Sequence, residues 1–140
     1  MTQLKLRPEH QALIFQVAEA EYPRECCGLL IGRRAEDEVI VTSVVPADNL
    51  AETNDRFLID PQVQFDLLRK LRGTEHRIVG HYHSHPNGRA EPSQRDVSSS
   101  LEADQVWLIV PMEDGRVANL RAFLSGADPS ELSPISLLIE

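Results

Sequence analysis

The stretch Cys26–Gly32 reads Cys-Cys-Gly-Leu-Leu-Ile-Gly, carries no charge and stops after seven positions. That is too brief for an ordinary helix, so it predicts a buried strand. Val39–Val45, rich in β-branched residues, predicts a second strand. Pro8 opens a helix in which Leu13, Ile14, Val17 and Ala18 fall on one stripe, and Pro23 stops it. Asp60-Pro61 supplies a cap and a first residue for another helix, with Val63, Leu67, Leu68 and Leu71 on one face and Gly73 at its end. Further strands are expected at Phe57–Ile59, Arg77–Ser84, Val106–Val110, Val117–Phe123 and Ile135–Ile139, with a turn at Asp114-Gly115 and a short helix from Ser93 to about Glu102. Strands interleaved with three helices predict an α/β layered domain, and short turns between some strands predict a mixed sheet.

The 140 residues match the size of one domain, taken as 1–140. Lys and Arg number 14 against 22 Asp and Glu, a formal net charge of −8. Such a field does not draw in phosphate-rich partners, so nucleic acid is not expected. The one dense basic cluster, Arg69, Lys70 and Arg72, sits at a helix end where the dipole favours cations. No apolar run approaches the ~20 residues of a membrane span, and Met1–Arg7 shows no secretory signal. Adjacent Cys26 and Cys27 would form only a strained bridge, which points to a reducing, cytoplasmic setting. The long polar loop Pro46–Arg56 is expected to border a substrate groove.

Three of the five histidines are His81, His83 and His85. Residues two apart on a strand share a face, so the His83 and His85 rings rise about 6–7 Å apart at the backbone. Two such rings can converge on one ion with bonds of about 2.0–2.1 Å. The same alternation also suits a polar strand face or a packed pair, but Pro86 places these rings at a strand end, where sites are usually built. Asp96 follows His85 by 11 positions and can return a carboxylate to that end, although Ser93-Gln94-Arg95-Asp96 also matches a helix capping box. Two His and one Asp would leave a fourth zinc position for water, as catalytic sites do, and zinc brings the pKa of water towards about 7. Glu25, at the edge of the apolar strand, is the candidate proton acceptor, though a residue there can equally be an ordinary solvated one.

Glu25 with Gly28 and Gly32, then His83-Ser84-His85-Pro86, then Ser93-x-x-Asp96, together resemble the motif of the JAMM/MPN+ zinc metallopeptidases. The resemblance implies a single three-layer domain, a mixed sheet between helices similar to the cytidine deaminases. It implies that His83, His85 and Asp96 hold one zinc ion, that Glu25 takes the water proton, and that Ser93 donates to the tetrahedral oxyanion. The implied reaction is hydrolysis of the amide bond after the C-terminal tail of a ubiquitin-like protein. The chain has no evident room for the insertions that grip linked ubiquitin in eukaryotic members. It is more similar to small prokaryotic members, some of which act on sulfur-carrier adducts such as carrier-cysteine. A homodimer is compatible with this reading. His81, on the same face, is expected to pack rather than ligate.

Two other readings remain open on sequence: a non-cleaving module that binds a ubiquitin-like protein, and a thiol hydrolase using Cys26 or Cys27 as nucleophile. Deaminase chemistry is not expected, because the Pro-Cys-x-x-Cys half of its zinc signature is absent.

Overall fold

A computed structural model describes residues 2–93 and 103–140. Its elements are β1 (Gln3–Leu6), α1 (Pro8–Glu21), β2 (Cys27–Arg34), β3 (Glu38–Ala47), α2 (Pro61–Leu71), β4 (Arg77–His85), β5 (Val106–Glu113), β6 (Arg116–Val117), β7 (Arg121–Ser125) and β8 (Leu132–Ile139). The strand order is β4-β2-β3-β1-β8-β7-β5-β6, and a further β4–β5 pairing joins the two sides. Seven strands thus close into a barrel-like ring, with β6 appended to β5. The sheet is mixed, as expected. β1 runs parallel to β3 and β8, and β4 parallel to β5, while the remaining pairs are antiparallel. Closure removes the open edges that a flat sheet between helices would leave. Two of the three expected helices are present; the helix expected from Ser93 to Glu102 falls on residues 94–102, outside the described residues.

Both helices start where proline and capping chemistry dictate. Pro8 occupies the first turn of α1, and Asp60 Oδ1 accepts the Gln62 amide at 2.9 Å to cap α2. Gly73, at φ +79°, lies just beyond α2. The α1 stripe docks as its period implies: Ile14 and Ala18 are fully buried, with Leu13 and Val17 beside them. α2 lies more loosely. It has no fully buried residue, and Leu68 turns outward to 50% exposure.

Three expectations change. β1 was not foreseen; its alternation places Leu4 and Leu6 wholly inside, but four residues are too few to show a period. Phe57–Ile59 is not a strand. It contributes a single bridge, Asn49 to Ile59, which shortens the expected 46–56 loop because β3 continues through Pro46 and Ala47. The 117–123 strand divides into β6 and β7, which pair with β5 in registers one residue apart. The turn before β6 has positive φ at both Asp114 and Gly115, the geometry that lets two strands reverse over two residues.

The sheet's two faces carry different cargo. One face puts Cys26, Leu30, Tyr82, Leu108 and Val110 against Ile14 and Ala18 in the main core. The other holds a smaller cluster of Trp107, Ile109 and Phe123. Register sets His81 beside Trp107 and His83 beside Ile109, so the histidines stand on this second face. Gly28 lies directly opposite Tyr82, and a methyl group there would overlap the tyrosine ring. At the bulge after Ile31, a side chain on Gly32 would run into the Ile40 carbonyl. Among the described residues no helix is long and apolar enough to cross a membrane.

Candidate active site

The end of β4 and the approach to β2 are stitched together by one serine. The Cys26 amide donates to Ser84 Oγ at 2.7 Å, and the Ser84 amide donates to the Cys26 carbonyl at 3.0 Å. Glu25, the residue before Cys26, is thereby held against the strand that bears His83 and His85. All three are at least 95% buried.

Ligand atoms of Glu25, His83 and His85 lie within 4.8 Å of one another. The two Nε2 atoms of the histidines are 3.1 Å apart. Two ligands on a tetrahedral zinc with bonds of about 2.05 Å would stand about 3.3 Å apart, so the spacing suits one ion. His85 Nδ1 lies 3.0 Å from the Arg89 carbonyl, which can only accept. That bond places the proton on Nδ1 and leaves the Nε2 lone pair for a metal. Arg89 is brought there by the tight turn after Pro86, in which the Gly88 amide donates to the His85 carbonyl at 3.0 Å. Two buried imidazoles poised at one point, with a buried carboxylate beside them, are a chemistry that fits zinc.

The rings are also held from the side. Phe57 stacks on His83 at 4.3 Å between centroids and 19° between planes, and on His81 at 5.4 Å. His81 stacks on His83 at 5.2 Å and tilts against Trp107 at 5.0 Å. His81 packs, as expected, and lies outside the Glu25–His83–His85 group. Phe57 and Trp107 were not singled out in the sequence. The β4–β5 pairing brings Trp107 there, and no periodicity announces Phe57.

Ser93 is half-buried at the end of the described segment, and Asp96 lies outside the described residues. The thiols face a different chemistry. Cys26 and Cys27 are no more than 1% exposed. Burial pushes Cys26 up to about 11, against a smaller opposing pull from the Ser84 hydrogen bonds. Burial likewise pushes Cys27 up to about 12, with Cys26 and Glu25 adding to the rise. A nucleophilic cysteine needs a lowered pKa and access, so these two are packing residues.

A small sheet-rich α/β domain with a buried His-His-Glu group that can hold a metal is the class this fold and site define. The family described as prokaryotic homologs of the JAB domain matches residues 7–124. The chain belongs to that JAB/MPN family. It is 33% identical over 101 residues to a desampylase of Haloferax volcanii, covering 71% of this chain and 70% of that one. It is 36% identical over 81 residues to a probable TtuB-protein conjugate cleaving protease of Thermus thermophilus, covering 57% of this chain and about half (51%) of that one. Tail tip assembly protein K of Escherichia phage N15 is 30% identical over 74% of this chain, and 39% of its own length is covered. Among solved structures, a Desulfitobacterium hafniense protein superposes with TM-score 0.84 at 27% identity, over 98% of this chain and 92% of that one. A Salinibacter ruber protein gives 0.72 at 27% identity, over 100% and 92%.

Proposed function

We propose that this protein is a zinc-dependent peptidase that cuts the amide bond after the C-terminal tail of a ubiquitin-like protein. Conjugates and sulfur-carrier adducts such as carrier-cysteine are the substrate class. The reading is carried by one observation: buried His83 and His85 aim Nε2 atoms at a common point 3.1 Å apart, with the Glu25 carboxylate alongside. The names of the Haloferax and Thermus relatives, a desampylase and a conjugate-cleaving protease, support the conjugates. We assign Asp96 as the third ligand of the one ion, within a single cytoplasmic domain spanning 1–140.

A bound zinc ion supplies Lewis acidity, which makes water acidic near neutral pH. The chain's own residues do the rest. His83 and His85 present neutral imidazoles, one oriented through Arg89. Glu25 accepts a proton from attacking water and returns it to the departing amine. Ser93 donates a hydrogen bond to the oxygen that gains charge as the carbonyl becomes tetrahedral. Phe57 and Trp107 narrow the site around His83 and exclude bulk water from it.

The test is mass spectrometry of a ubiquitin-like protein carrying a C-terminal adduct, incubated with zinc-loaded protein. Cleavage at the tail is expected; it should stop with a strong chelator and persist after thiol alkylation. Glu25→Gln should keep zinc and lose about 10²- to 10⁴-fold in turnover, the range of a lost general base. Tight binding of the ubiquitin-like protein without cleavage at saturating zinc would instead establish a binding module.

A further inference from the structure

Asn49 makes every hydrogen bond its side chain can make. Nδ2 donates to the Glu25 carbonyl at 2.8 Å and to the Arg56 carbonyl at 3.0 Å. Oδ1 accepts from the Ala51 amide at 2.9 Å and the Leu58 amide at 3.0 Å. Two partners are carbonyls and two are amides, so the orientation of the side-chain amide is forced by chemistry. The residue is 9% exposed, so these bonds are sheltered from water.

The four bonds link two sides of the candidate site. One donor holds the backbone of Glu25. The other three close the 49–58 loop, and two of them hold Arg56 and Leu58, the residues on either side of Phe57, which stacks on the His83 ring. Arg24 ties the same loop independently, donating to the Asn49 and Ala51 carbonyls at 2.8 and 2.7 Å. The loop therefore has a second anchor that does not use the Asn49 side chain.

We propose that Asn49 is a positioning residue that sets the placement of Glu25 relative to His83 by joining the Glu25 backbone to the loop that carries Phe57. The proposal rests on the peptidase reading for its kinetic consequence and on the hydrogen bonds alone for its structural one. A misplacement on the order of 1 Å at a reacting group can lower turnover about a hundredfold, so a tether of this kind is strong enough to matter.

Asn49→Asp removes the two donated bonds, to Glu25 and to Arg56, and leaves the two accepted ones. It keeps an acceptor for Ala51 and Leu58 and turns the donors into a carboxylate oxygen facing two carbonyls. Amide hydrogen exchange reads each pair. Cys26, next to Glu25, should exchange about tenfold faster or more, while Ala51 and Leu58 stay within about threefold of the wild type. With a ubiquitin-like conjugate, kcat should fall about 10- to 100-fold, with KM and zinc affinity changed by less than about threefold. Asn49→Ala should speed exchange at all three amides. The proposal is overturned if Asn49→Asp leaves Cys26 exchange and kcat unaltered. It is equally overturned if kcat drops only in step with lost zinc or with loosening of Ala51 and Leu58, which is general destabilisation. If the wild type cleaves no conjugate, the peptidase reading fails, and the Cys26 exchange result alone decides for or against the tether.

Discussion

Phe57→Ala should weaken both the fold and the hold on a metal, and the structure bounds the effect. The substitution removes two stacked contacts, one on His83 at 4.3 Å and 19° and one on His81 at 5.4 Å and 29°. Aromatic pairs contribute about 0.5–1.5 kcal/mol each beyond area burial, so the two together contribute about 1–3 kcal/mol. Were all of that spent on orienting His83 for the ion, zinc affinity would fall about 5- to 140-fold, at 1.4 kcal/mol per factor of ten. The same stacks also pack Phe57 onto the fold, so part of the loss appears as folding stability. The expected outcome is about a tenfold loss of zinc affinity, within the range known for groups that orient ligands, with a lower melting temperature. Competition with a chromophoric chelator measures the first. Trp107, the sole tryptophan, lies 6.3 Å from the His83 ring and reports the second by fluorescence. Phe57→Leu, which retains bulk without a stacking face, should fall between. Wild-type zinc affinity together with wild-type melting in Phe57→Ala would refute the idea that this stack positions the ligand.

Other outcomes follow from the same geometry. Tyr82 is fully buried, and among the described residues its hydroxyl has no hydrogen-bond partner. Tyr82→Phe should therefore stabilise by about 1 kcal/mol, raising the melting temperature by about 3–5 °C; a lowered melting temperature would contradict this. Gly28→Ala forces a methyl group into that same ring and should destabilise by about 1–3 kcal/mol in a denaturant titration, so an unchanged midpoint would show that Tyr82 moves freely. The Cys26 and Cys27 thiols, pushed up to about 11 and 12 by burial, stay protonated in the fold beyond the ordinary value of 9.0. Their folded pKa values are raised, so the stability they contribute is complete below pH 9 and is lost as pH climbs through 11 to 12. Melts across that window should fall more steeply for the wild type than for a Cys26→Ala/Cys27→Ala variant, and native protein at pH 7 should resist iodoacetamide; ready labelling would mean accessible thiolates.

What could be read in the sequence was whatever depends on neighbours along the chain. Pro8, Asp60-Pro61 and Gly73 act within one turn of a helix, and the His83–His85 alternation acts within one strand, so local rules located all of them. The histidine pair and Glu25 are 58 or more positions apart, and only the length and mixed residue types of the motif linked them. Closure of the sheet was illegible because β4 and β5 show the same apolar pattern whether or not they pair with each other. β1 was illegible because four residues hold only two apolar positions, and its place between β3 and β8 is decided by what those strands leave unpaired. Asn49 and Phe57 were hidden for a different reason. Asn49 bonds only backbone groups of Glu25, Ala51, Arg56 and Leu58, and every residue type presents those groups alike. A side chain that recognises backbone leaves no complementary residue to find, so a polar loop expected to border a groove gave no sign of which of its residues frames the candidate site.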